Sequence, residues 1–169
     1  MKETECDFCI NFEKNGKIER AFIKKRPGLD HFLEECSKNF EIVVFTASRK
    51  YYATEILDQL DKENKIITKR LFREHCRTDD GINFVKVSYL ENKKKKNLTN
   101  FIKDLTYLGR NLEEVWIVDN SPVSYSKQPE NALPISTWID DPNDTELLKL
   151  LPALEKLAKS KKTLLETLE

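Results

Sequence analysis

The chain has 169 residues, 39% of them hydrophobic and 34% charged, enough for one domain with a sizeable core. Lysine plus arginine total 29 and aspartate plus glutamate total 29, so the net charge of zero gives no global attraction to nucleic acid or an anionic membrane. No apolar run approaches the roughly 20 residues needed to span a bilayer, and the polar stretch Met1 to Asp7 leads into no apolar segment, so no signal peptide is expected.

In chain order, "DFCINFEKNGKIERAFIKK" predicts a hairpin turning at Asn15-Gly16. Pro27 opens a helix with Leu29, Phe32, Leu33 and Cys36 on one face. "EIVVFTAS" predicts a buried strand over Ile42 to Phe45, followed by a helix through Tyr52, Ile56, Leu57 and Leu60. "RLFRE" reads as a short strand, "EEVWIVDNSP" as another buried one, and "LPISTW" as one more. A last helix is expected over 143–159, capped by Asn143 with Glu146 completing the box, and kinked at Pro152. Strands alternating with helices predict a single three-layer α/β domain over 1–169 with a mostly parallel sheet. The four lysines within Tyr89 to Asn100 read as a solvated surface loop, because no aromatic beyond Tyr89 interleaves them.

Cys6 and Cys9 form a lone C-x-x-C, and His31 and His75 do not complete a zinc site. The expected state of these, Cys36 and Cys76 is the reduced thiol of a cytosolic or nuclear chain.

The chemistry is expected at strand ends. Val115 to Val118 is an apolar run, and Asp119 and Asn120 follow at its carboxyl end before the Ser121-Pro122 turn. Thr46 ends the earlier strand, Lys103 precedes the later one, and Arg73 lies between them in sequence. In open α/β sheets, ligands bind at such carboxyl ends. A hydroxyl and two cations stabilise phosphate oxygens. A carboxylate and an amide oxygen are hard ligands for one Mg²⁺ that keeps several waters. Each residue alone also has an ordinary role: Thr46 ending a strand, Lys103 solvated, Arg73 paired with Glu74.

The segments "KKRPGLDHFLEE", "FTAS", "RLFREHC", "IKDLTYLGRNL", "IVDNSP" and "NDTELLKLLPALEKL" together resemble the small carboxy-terminal-domain phosphatases of the haloacid dehalogenase superfamily. The resemblance runs from about Phe8 to Leu157. It implies a Rossmann-like sheet with a hairpin insertion at 7–24, and Mg²⁺-dependent hydrolysis of phosphoserine or phosphothreonine in proteins such as the RNA polymerase II tail. A first aspartate would form an aspartyl-phosphate, and a second, two residues on, would act as general acid and base. By matched motif, Thr46 would hydrogen-bond the phosphoryl group and Lys103 would neutralise its charge. Asp119 and Asn120 would hold the metal, Arg73 would contact the substrate phosphate, and Tyr52 would line the substrate pocket. Nuclear residence is implied by the resemblance alone, with the cytoplasm the other compartment open to such a chain.

The sequence departs from the family in two places. The family's first motif, a strand ending in Asp-x-Asp upstream of the hairpin, has no counterpart, and no Asp-x-Asp occurs in the 169 residues. A central strand between those of Thr46 and Asp119 is therefore expected to be missing, by truncation or an incomplete gene model rather than by decay into a pseudophosphatase, which would keep the strand to fill its core. A non-catalytic phosphoprotein-binding module, or an interaction scaffold, is the alternative. The second departure is Val87 to Lys103, whose removal restores a "VKDL" pattern. Val-Ser can be encoded by GTAAGT, a typical intron start. The segment is thus expected to be an unspliced intron or a loop insertion, and in the former case Lys86 is the motif lysine and Lys103 its duplicate.

Overall fold

The structure, a computed structural model, describes residues 5–78 and 100–160. Strands β1 (Phe8–Lys14) and β2 (Lys17–Ile23) form an antiparallel hairpin. Its two-residue turn needs φ > 0 at both positions, and Asn15 (53°) and Gly16 (74°) supply it. Helix α1 (Leu29–Ser37) follows a turn rather than starting at Pro27. Gly28 (φ 77°) lies so close to α3 (Glu146–Ser160) that a Cβ there would stand 3.0 Å from Leu148.

Two parallel pairs carry the candidate strand ends. β3 (Ile42–Phe45) pairs with β4 (Ile67–Leu71), with α2 (Lys50–Leu60) as the crossover. β7 (Ile117–Asp119) pairs with β8 (Ala132–Pro134). A short antiparallel pair joins β5 (Arg77–Thr78) to β6 (Phe101–Ile102). The described residues thus form a mixed α/β fold of four two-stranded sheets, two parallel and two antiparallel. The expected α/β class is borne out at that level.

Three boundaries also differ from expectation. The strand expected at "RLFRE" lies earlier: β4 ends at Leu71, the second of these residues, and Arg73–His75 is a 3₁₀ turn. The ring of His75 turns the chain there, its Nδ1 accepting from the Phe72 N–H at 2.9 Å. Glu113 and Glu114 belong to a 3₁₀ turn before β7, closed by the Asn111 side chain accepting from the Glu113 N–H. Helix α3 starts at Glu146, and the Asp144 side chain, not Asn143, accepts from the Glu146 N–H at 3.2 Å. It is held there by Arg26, whose Nε and Nη2 donate to the two Asp144 oxygens at 2.7 and 2.8 Å. The guanidinium keeps the Asp144 carboxyl below the usual carboxylate range.

Apolar residues cover both faces of β7. Trp116 and Val118 pack towards Cys36 of α1 and Leu154 and Leu157 of α3. Ile117 packs the other way, with Leu105, Val115, Tyr125 and Ala132. β3 and β4 pack through Ile42, Val44 and Ile67 onto Ala53 and Leu57 of α2. The lysine run and Lys86 lie outside the described residues, as does 87–103 up to residue 99.

Candidate functional site

The carboxyl end of β3 is built by backbone. The Thr46 N–H donates to the Leu71 carbonyl at 2.9 Å, continuing the parallel pairing by one residue. The chain then turns, and Thr46 Oγ1 accepts from the Ser48 N–H at 3.0 Å. The acceptor role leaves the hydroxyl proton available for a second partner.

Arg73 is anchored to the same turn. Its N–H donates to the Ser48 carbonyl at 3.0 Å, and its Nε donates to the Ala47 carbonyl at 2.5 Å. Its guanidinium stacks over the Phe101 ring, 5.0 Å from the centroid. The 3₁₀ turn that displaced the expected strand is what places Arg73 beside Thr46.

On the β7 side, Lys103 Nζ donates to Asp119 Oδ2. The side chains are 13% and 7% exposed, so Lys103 is not a solvated surface lysine. The other Asp119 oxygen accepts from the Ser121 N–H at 2.8 Å, as expected of an Asx turn. Lys103 is fixed through its own N–H, which donates to the Ser124 carbonyl at 2.7 Å. The next residue, Asp104, is buried, and desolvation pushes its carboxyl up. Hydrogen bonds from Thr106, Gln128 and Arg77 outweigh that and hold it below the usual range.

Cys76 joins the two halves. It is fully buried, and its Sγ–H points at the Thr46 carbonyl at 3.9 Å. It also feels the charges of Lys103, Arg73, Glu74 and Asp119. Thr46 and Arg73 therefore stand together at the end of β3, while Lys103 lines the cleft that Phe45, the last residue of β3, also lines. Burial pushes the Cys76 thiol up to about 11, so it is no thiolate nucleophile at neutral pH. Sequence reasoning left Cys76 as an unassigned thiol, and nothing in "REHC" signals its central place. Asp104 and Gln128 were missed for the same reason: their partners are distant in sequence.

Asn120 stands just beyond, exposed, and its Nδ2 donates to Thr137 Oγ1 at 2.9 Å. That bond orients the amide and leaves Oδ1 as an acceptor. With the lone pairs remaining on Asp119, the donors are hard oxygens of the kind Mg²⁺ takes while keeping most of its waters. They fit such an ion as half of a site. Among the described residues no group of three or more His, Cys, Asp or Glu converges to complete it. Tyr52 lies on α2 against the hairpin, its ring edge-on to Phe12 at 5.1 Å, and Tyr51 stacks on the same ring. No disulfide joins the four cysteines. Among the described residues no helix is long and apolar enough to cross a membrane.

Comparison with known proteins gives consistent matches. The model of the NLI interacting factor-like phosphatase family matches residues 1–164. A probable C-terminal domain small phosphatase of Dictyostelium discoideum is 45% identical over 153 residues, covering 90% of this chain and 44% of the relative. A CTD small phosphatase-like protein of Homo sapiens is 41% identical over 156 residues, 92% of this chain and 50% of the relative. A CTD nuclear envelope phosphatase 1B of Danio rerio is 39% identical over 154 residues, 91% of this chain and 56% of the relative. The chain spans about half the length of these relatives.

Proposed function

Since the chain belongs to the NLI interacting factor-like phosphatase family, we propose that it recognises phosphoserine or phosphothreonine in proteins, and that the whole protein hydrolyses it. The carrying observation is the nearly buried Lys103–Asp119 pair at the end of β7, with Lys103 lining the same cleft as the last residue of β3, next to Thr46. A phosphoryl group placed there meets a hydroxyl donor, a guanidinium and an ammonium in surroundings that screen charge poorly, where such donors count most. Thr46 donates to a phosphoryl oxygen. Lys103 shares its remaining protons between Asp119 and the phosphoryl group. Arg73, held by Ala47 and Phe101, faces the substrate phosphate. Tyr52 and the hairpin's Phe12 offer an aromatic wall to the peptide.

Asn120 and Asp119 would hold Mg²⁺, which when bound supplies positive charge against the phosphoryl oxygens. We read the two parallel pairs as parts of a three-layer haloacid dehalogenase-like sheet. The attacking group in the whole protein is an aspartate that forms an aspartyl-phosphate. Phosphoproteins as substrates agree with the carboxy-terminal-domain phosphatase names of the relatives, and nuclear association with the name of the Danio rerio relative.

One observation favours a second reading for these 169 residues: they contain no Asp-x-Asp. On that reading the domain binds a phosphoprotein without hydrolysing it. Titration of the chain with a phosphoserine peptide and its unphosphorylated twin, with phosphate release followed in parallel, tests both. Tighter binding of the phosphopeptide, abolished by Lys103→Ala and weakened by Arg73→Ala, is expected. Equal affinity for the two peptides would overturn the proposed recognition. Phosphate release above the blank that Lys103→Ala abolishes would overturn the binding-only reading.

A further inference from the structure

We propose that Thr137 is a positioning residue: its hydroxyl holds the Asn120 amide with Oδ1 turned outward for an ion, and a strap tied to α3 holds Thr137 in place. The inference rests on the reading that Asn120 and Asp119 hold Mg²⁺. Asn120 is exposed, and its Nδ2 donates to Thr137 Oγ1 at 2.9 Å. Among the described residues Thr137 is the one hydrogen-bond partner of that side chain. Both residues line one hollow of about 340 Å³ together with Asp119 and Arg26.

The strap is the stretch Ile135 to Trp138, just beyond β8. It is pinned on both sides of Thr137. The Ile135 N–H donates to the Asp119 carbonyl at 3.2 Å, which carries the pairing of β7 with β8 one residue further. Arg26 Nη1 donates to the Ser136 carbonyl at 2.8 Å, and Nη2 donates to Ser136 Oγ at 3.0 Å. The same guanidinium is fixed by both oxygens of Asp144, which caps α3. On the far side Trp138 Nε1 donates to the Asp141 carbonyl at 2.8 Å. An otherwise exposed loop is thus tied to the hairpin exit and to α3, and Thr137 has a fixed place from which to reach Asn120.

The two edges of an amide are alike in shape and opposite in chemistry. A hard cation takes Oδ1 and never the NH₂ group. When Thr137 accepts from Nδ2, the amide turns its other edge, Oδ1, away from Thr137. Without that acceptor the exposed side chain samples several rotamers, and ion binding has to bear the entropy of ordering it. Thr137→Val keeps the branched shape and removes the acceptor. Thr137→Ser keeps the acceptor. Thr137 is itself exposed, so neither change disturbs a packed core.

The test uses the full chain, with Mn²⁺ as a paramagnetic probe that takes the same oxygen ligands as Mg²⁺. The side-chain amide signal of Asn120 is followed by nuclear magnetic resonance and assigned by its loss in Asn120→Asp. In the metal-free protein, one Nδ2 proton is expected to exchange slowly with water in the wild type and in Thr137→Ser, and rapidly in Thr137→Val. Mn²⁺ should broaden this signal at concentrations about fivefold higher in Thr137→Val than in the wild type, the worth of one hydrogen bond. Thr137→Ser should stay within about twofold of the wild type, and all three proteins should melt together. Equal Mn²⁺ affinity of the valine variant, an equal loss in the serine variant, fast exchange of both protons in the wild type, or no broadening of the wild-type signal would each overturn the proposal. Phosphopeptide titration without metal reads Lys103 and Arg73 separately. A chain that prefers the phosphopeptide yet shows no Thr137-dependent ion binding refutes this inference alone, and the reverse pattern refutes the recognition alone.

Discussion

Lys103 and Asp119 form a pair whose members do not tolerate separate loss. Both are nearly buried, so removing one strands the other's charge out of water. Lys103→Ala is expected to cost about 3 kcal/mol of stability. Adding Asp119→Asn should recover part of that loss, because the stranded charge is then gone. Thr46 behaves differently. Its Oγ1 accepts one N–H bond, so Thr46→Ala should cost only about 1 kcal/mol. Urea denaturation of the two single variants and the double variant checks these values. Phosphopeptide binding measured on the same proteins separates recognition from stability: Thr46→Ala should weaken phosphate binding while leaving the fold nearly as stable as before. Asp119 was legible as a strand-end acid because an apolar run ends in Asp-Asn, a local pattern, whereas Lys103 was singled out as a cation shortly before that strand, and its pairing with Asp119 is what the fold adds. Their anchors, the Ser124 carbonyl and the Asp104–Gln128 network, were not legible, because they depend on which loops the fold brings together.

Strands and helices were read where the pattern is contained within them. β3 was expected over Ile42 to Phe45 and occupies those residues, since four successive apolar side chains leave little choice. "RLFRE" misled because Arg73 and Glu74 follow an apolar pair, while the turn is made by a bond from the Phe72 backbone to the His75 ring. The join between α2 and β4 has a similar hidden device. Asp61 is buried just after α2, and its carboxylate accepts from the N–H groups of Lys65, Ile66 and Ile67. Desolvation pushes its carboxyl up, but the three N–H bonds outweigh this and hold it below the usual range. A carboxyl depressed in the folded state stabilises the fold above its unfolded pKa of about 3.9, and the contribution is lost as pH falls through the folded value. Asp61→Asn should therefore lower stability at neutral pH and flatten the fall in stability below about pH 4. Melting midpoints from neutral pH into that acid range check it. An acid limb unchanged by Asp61→Asn would show that Asp104 and Asp144, also depressed, carry the dependence instead.

At the scale of the whole molecule, the two parallel pairs are held by helices and loops rather than by each other. α1 and α3 close one side through Cys36, Leu154 and Leu157, and the Leu105 segment closes the other. Between them the cleft exposes apolar side chains of both β3 and β7 to solvent. A cleft of this kind binds an apolar anionic dye at a defined site, whereas a molten state binds it diffusely and loses its near-ultraviolet circular dichroism. The expected result is saturable, one-to-one enhancement of anilinonaphthalene sulfonate fluorescence, with the aromatic signal of the Phe40–Trp116 contact retained. Val43→Glu should abolish the enhancement, because it puts a negative charge on the cleft wall facing the sulfonate. The retained near-ultraviolet signal of that variant shows that it still folds. Non-saturating dye binding together with a vanished aromatic signal would mean that the two pairs are not held in one arrangement in solution, and that the cleft does not persist between them.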